Sequence, residues 1–250
     1  MVAVGTPSKS TLDAARVPSA AKLGLWPSEY EFTPSGGVEC WVYRGRTVPP
    51  AATVIEIETP HGPARAHVTK VRGALGAVVL GHGAGGGVAA RDLVAASEAA
   101  RAEKFSVALV EQPYRVAGRR SPAPAAQLDT AWNAVVADLR RKTLKGVPIV
   151  CGGRSSGARV ACRTAAETGA VGVLCLAFPL HPPGRPEKTR QDELDGVTVP
   201  VLVVQGVSDP FGMPAPGPSR TVVQIAGNHS LRSDIGALRT AVRDWLVQVR

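Results

Sequence analysis

Residues 149 to 160 read IVCGGRSSGARV: an apolar run, then Gly153, Arg154, Ser155, Ser156 and Gly157, then a helix-like stretch. A strand that reverses into a helix within a few residues strains the residue at the bend. It also leaves no room for side chains two positions to either side, so glycines are needed there. The serine between them then projects its hydroxyl clear of the sheet, the arrangement of a nucleophile elbow. A serine hydroxyl is nearly inert at neutral pH, so a base must take its proton and a carboxylate must orient that base. Two later loops supply both residue types. VPVLVVQG runs into Val207, Ser208 and Asp209, and TVVQIAG runs into Asn228, His229 and Ser230. Taken singly, an Asp after a strand is ordinarily a turn or cap residue, and a His in a Gly-Asn-His turn a surface residue. All three at strand ends in the order Ser, Asp, His point instead to Ser155 as nucleophile, His229 as base and Asp209 as the acid that fixes the imidazole.

Acyl transfer also needs two backbone N–H donors aimed at the developing oxyanion. The strand GAVVLG runs into His82, Gly83, Ala84, Gly85, Gly86 and Gly87, a loop nearly free of side chains that can approach a substrate closely. Ala84 and Ser156, the latter directly after the nucleophile, are the expected donors, and His82 is expected to orient this loop rather than act as base. A phosphate-cradling glycine loop would end in G-K-[ST] or follow G-x-G-x-x-G with a suitably placed acid, and neither is present. No nucleotide or other cofactor is expected.

These residues need a scaffold. The 250 residues allow one sizeable domain, and 44% hydrophobic content with only 4% aromatics implies a core of Val, Ala and Leu. Residues 1–50 are broken by Pro, Ser, Thr and Gly and read as an irregular N-terminal arm, whose Trp26, Tyr30, Phe32, Trp41 and Tyr43 could dock on a folded body; residues 51–250 read as the folded domain. TVIEIETP and ARAHVTKV alternate around the turn Pro60 to Pro63, predicting an antiparallel hairpin at a sheet edge. LGAVVLGHG, SVALVEQP, VPIVCGG, VGVLCLAFP and VPVLVVQG are unbroken apolar runs, predicting parallel strands covered on both faces. Helices are predicted over 89–104, 125–144, 156–168 and 231–249. Alternating strand and helix gives an α/β three-layer sandwich, with ligands bound beyond the carboxyl ends of the strands.

Cys40, Cys151, Cys162 and Cys175 form no C-x-x-C pair, and three of them lie in strand or helix patterns where a small buried thiol is the ordinary reading; neither disulfide framework nor metal site is expected. The formal charge of +9 is spread along the chain, and its densest group, Arg140, Arg141, Lys142 and Lys145, closes a helix. Cations are favoured there by the helix dipole, so the charge does not indicate nucleic acid. No apolar stretch has the roughly 18 residues a membrane helix needs, and no leader is evident; a cytoplasmic setting is expected.

Together GHGAGGG, GGRSSGARVA, FPLHPPGRPEKTR, LVVQGVSDPFG and AGNHSL resemble the α/β-hydrolase superfamily, within it the small dienelactone-hydrolase-like group. They are most similar to a bacterial branch related to a testis-expressed protein and to a subunit of a histone acetyltransferase complex. The resemblance covers about residues 52–250 and implies an α/β-hydrolase fold without a large cap. It carries Ser155 over as nucleophile, Asp209 as acid, His229 as base and the His82 to Gly86 loop as oxyanion loop. Dienelactone hydrolases proper place Cys at the elbow, so Ser155 favours hydrolysis of a small ester or thioester. The complex-associated relatives imply the alternative of a non-catalytic interaction module on the same fold. DPFGMPAPGPSR, residues 209–220, is too rich in Pro and Gly for a helix, and the Asp209 carboxylate is therefore expected to be held loosely. Residues 179–199 read as a proline-rich, charged loop forming an open rim, in which His181 and Arg185 could meet a carboxylate or phosphate, so the expected partner is a small, anionic ester.

Overall fold

The computed structural model describes residues 30–35, 38–43 and 52–250. The chain divides into two units, Met1–Pro49 and Pro50–Arg250. In the first, β1 (Tyr30–Ser35) and β2 (Val38–Tyr43) pair antiparallel, with Ser35 opposite Val38. The sequence presents this stretch as irregular, but the Gly-Gly pair at positions 36 and 37 of the sequence is a dipeptide that signals a tight hairpin. Trp26 and the side chains of Tyr30, Phe32, Trp41 and Tyr43 lie outside the described residues.

The second unit runs β3 (Thr53–Ile57), β4 (Ala64–Thr69), β5 (Gly76–Gly81), α1 (Arg91–Ala102), β6 (Phe105–Glu111), α2 (Pro113–Val116), α3 (Ala125–Arg141), β7 (Ile149–Arg154), α4 (Ser156–Arg163), α5 (Ala165–Thr168), β8 (Gly172–Leu176), α6 (Gln191–Asp195), β9 (Val201–Gly206), β10 (Arg220–Ile225) and α7 (Ile235–Val249). The strands form one eight-stranded sheet in the order β10-β9-β8-β7-β5-β6-β4-β3. β3 and β4 are antiparallel, as their alternation predicts, and β4 is antiparallel to β6; the remaining pairs are parallel.

Parallel strands leave both faces to be covered, and the unbroken apolar runs do this by strict alternation. Ala77, Val79, Cys151, Val173, Cys175, Val201 and Val203 face the core under α3 and α4. Their neighbours Val78, Leu80, Val150, Leu174, Leu176, Leu202 and Val204 face the core under α1 and α7. Each fully buried Val or Leu contributes roughly 1.5–3 kcal/mol, which is why, among the described residues, the buried strand positions are polar only at Ser106 and Gln205.

Local chemistry adjusts the predicted helices. The stretch 156–168 breaks at Thr164, whose hydroxyl donates to Val160 O at 2.7 Å and competes with the backbone ladder. The last helix starts at Ile235, where Asp234 caps it by accepting from Ala237 N at 2.8 Å. The proline-rich loop carries the short α6. From β5 the chain first builds toward β6 and then returns to place β7 on the other side of β5. That reversal opens a crevice at the carboxyl ends of β5 and β7, where the glycine loop and Ser155 meet.

Candidate active site

Ser155 sits between β7 and α4 with φ 52° and ψ −110°, a conformation that costs an L-residue on the order of 1–3 kcal/mol. Close packing holds it there: a β-carbon on Gly153 or on Gly157 would stand 2.4 Å from the Gly81 carbonyl oxygen. Ser155 N also donates to Leu176 O of β8 at 2.9 Å.

His229 and Asp209 reach this hydroxyl from the loops after β10 and β9. His229 Nε2 lies 3.0 Å from Ser155 Oγ, and His229 Nδ1 lies 2.9 Å from Asp209 Oδ2. The Asp209 side chain is fully buried and His229 is 17% exposed, so the row runs from the interior toward solvent. With Nδ1 donating to the carboxylate, Nε2 is left as the acceptor for the serine proton.

The loose hold expected for Asp209 is not what the structure contains. Its Oδ1 accepts from Phe211 N at 2.9 Å and its Oδ2 accepts from Gln205 Nε2 at 2.9 Å, in addition to His229. Gln205, buried in β9, also reaches Phe178 O and Gly212 O. No helix forms after Asp209, as the Pro and Gly content predicts; a turn and a buried amide replace it. The Phe211 ring lies over the His229 imidazole with centroids 4.2 Å apart.

Ala84 lies in the glycine loop and Ser156 at the start of α4, the two positions from which donors are expected. Ser156 opens α4, so its N–H is among those left without a partner in the helix. The loop bearing Ala84 is fixed from two sides. Tyr114 Oη donates to Ala84 O at 3.0 Å, and His82 Nδ1 donates to Gly83 O at 2.8 Å. His82 Nε2 in turn accepts from Gln112 N at 3.2 Å. Burial pushes the His82 pKa below its ordinary value, and the neutral ring can both donate and accept. His82 therefore ties the glycine loop to the end of β6, in keeping with an orienting role. Gly85 and Gly86 complete the turn, in which Gly86 N donates to Gly83 O at 3.1 Å.

The two rim residues are not equivalent. His181 Nδ1 donates to Pro182 O at 2.9 Å and its backbone N–H donates to Phe211 O at 3.0 Å, bracing the loop behind Asp209. Arg185 is exposed at a turn in which its N–H donates to Pro182 O.

Sequence reasoning missed a second set of residues. Arg154, the variable residue before the serine, donates from Nε to Asp92 Oδ2 at 2.6 Å and from an Nη to His229 O at 3.0 Å. Asp92, buried in the first turn of α1, also accepts from Leu93 N. Burial raises the Asp92 pKa, and the Arg154 guanidinium opposes that rise. This pair links α1, the elbow and the backbone of the histidine loop. Arg154 could have been singled out from its place in the pentapeptide; nothing near Asp92 in the sequence marks it.

A three-layer sandwich bearing Ser, His and Asp in a hydrogen-bonded row beside a glycine loop defines a class of protein. Residues 74–233 match the family described as Alpha/beta hydrolase domain, and the chain belongs to it. Solved structures share the fold at low identity. An a/b serine hydrolase without lid from Xanthomonas campestris matches with 20% identity and TM-score 0.62, over 80% of this chain and 98% of that one. Est1E from Butyrivibrio proteoclasticus matches with 17% identity and TM-score 0.64, over 78% and 98%. A dienelactone hydrolase from Anabaena variabilis matches with 15% identity and TM-score 0.64, over 80% and 99%.

Proposed function

We propose that the protein is a serine hydrolase cleaving a small carboxylic ester or thioester through an acyl-enzyme. The observation that carries this reading is the row Ser155 Oγ, His229 Nε2, His229 Nδ1, Asp209 Oδ2, with separations of 3.0 and 2.9 Å, built on a serine with positive φ. Ser155 Oγ attacks the carbonyl carbon as His229 Nε2 takes its proton, and the Ala84 and Ser156 N–H groups receive the oxyanion. The protonated imidazole, stabilised by Asp209, gives the proton to the leaving alcohol or thiol. Water, deprotonated by the same nitrogen, then releases the acid and regenerates Ser155. Within the family, the likeness of FPLHPPGRPEKTR supports a position beside the branch related to the testis-expressed protein and the acetyltransferase subunit, and the setting we propose is cytoplasmic.

Labelling with a fluorophosphonate, mapped by mass spectrometry of the modified peptide, tests the reading. Label on Ser155 that disappears in His229→Ala is the expected result. Folded protein that takes no label would sink the proposal in favour of an interaction module.

A further inference from the structure

Tyr114 faces two environments. Its hydroxyl donates to Ala84 O in the glycine loop, and the residue also lines an open cleft of about 510 Å³ with Arg119, Arg120, Ser121, Ala123 and Gln127. A narrower recess of about 90 Å³ shares Tyr114, Arg119, Ala123 and Gln127 with that cleft and reaches inward to Gln112. The larger volume is in the range of small-ligand sites.

Arg119 and Arg120 are exposed neighbours on the cleft wall. Among the described residues neither pairs with a carboxylate, a state they share with other arginines of the chain, but these two stand together on one cleft wall. Planar guanidinium donor sets match a carboxylate.

We propose that this cleft is the subsite for the anionic end of the substrate, where a carboxylate pairs with Arg119 and Arg120. The inference rests on the serine hydrolase reading and names its substrate class. Tyr114 makes the coupling to the chemistry, since the residue that lines the anion cleft also fixes the carbonyl of the proposed oxyanion donor Ala84. Of the two residues that the sequence offers for this role, His181 braces the loop behind Asp209 and Arg185 stands at an exposed turn.

The test compares two probes, p-nitrophenyl butyrate and the mono-p-nitrophenyl ester of glutaric acid, in the full-length protein and in the double variant Arg119→Gln, Arg120→Gln. The wild-type chain is expected to favour the carboxylate ester in kcat/KM. The double variant is expected to lose roughly tenfold or more of that anionic-to-neutral ratio, mainly through KM. An unchanged ratio overturns the subsite. A second arm reads binding alone, by titrating glutarate into Ser155→Ala protein with and without the two arginine substitutions. Saturable binding that is lost with the arginines supports the subsite, and absent or arginine-independent binding overturns it. Turnover of neither ester, with arginine-dependent glutarate binding intact, overturns the hydrolase reading and leaves the subsite standing.

Discussion

Asp209 accepts from His229, Gln205 and Phe211 while fully buried, so its carboxylate is fixed without a following helix. Asp209→Asn keeps the shape but loses the charge that stabilises protonated His229. It is expected to lower kcat about 10⁴-fold with little change in melting temperature, measured by steady-state kinetics beside thermal denaturation. Arg154 has a different task, partnering the buried Asp92 carboxylate and holding the His229 carbonyl. Arg154→Met leaves that carboxylate unpaired and is expected to cost about 3 kcal/mol at neutral pH. Because burial raises the Asp92 pKa above its ordinary 3.8, the protonated carboxyl is the form the fold favours. The stability this group contributes is present in acid and lost as the pH rises through its folded value. The gap in melting temperature between Arg154→Met and wild type should therefore narrow as the pH falls; a gap that is constant or widens in acid would refute the pairing role. Ser155, Asp209 and His229 were legible because each follows a strand in a fixed order. Arg154 with Asp92, and Phe211 with His229, were not, because side-chain contacts across 62 and 18 positions leave no periodic trace.

At the scale of elements, the elbow depends on backbone meeting backbone. Gly153→Ala would drive a β-carbon to 2.4 Å from Gly81 O, a group that cannot rotate away. The variant is expected to lose about 1–3 kcal/mol and most fluorophosphonate labelling, checked by denaturant melts and probe uptake. The glycine loop carries a pH signature through His82. Burial holds this imidazole below its ordinary value of 6.5, so the neutral ring is the form the fold favours. Its contribution is present above 6.5 and lost as the pH falls through the folded value. Wild-type melting temperature is expected to drop on the acid side of 6.5, with a shallower drop in His82→Gln; equal slopes would mean that His82 does not carry the effect. The parallel strands were readable because burial on both faces removes polar positions, and the β3–β4 hairpin because burial on one face alternates them. The break at Thr164 and the short α6 were not readable, since one hydroxyl or one turn decides each. The β1–β2 hairpin was signalled only by Gly36 and Gly37.

At the scale of the whole molecule, both described core clusters and every candidate site residue lie within residues 52–250. A chain reduced to these residues is expected to melt cooperatively and to take the fluorophosphonate label at Ser155; failure to fold would assign the N-terminal unit a structural role. The sequence by itself determined the class of fold, the elbow, the order of the three hydrogen-bonded residues and the glycine loop, because each is written in a local pattern of apolar runs and glycines. Only the tertiary structure decided how Asp209 is gripped, how Arg154 joins three elements, and which arginines surround a cleft next to Tyr114. Those outcomes depend on strand order in the sheet, which sets β9 two strands from β7 and β6 beside β5. Residues far apart in the chain are brought together by that order, and no periodicity along the chain encodes it.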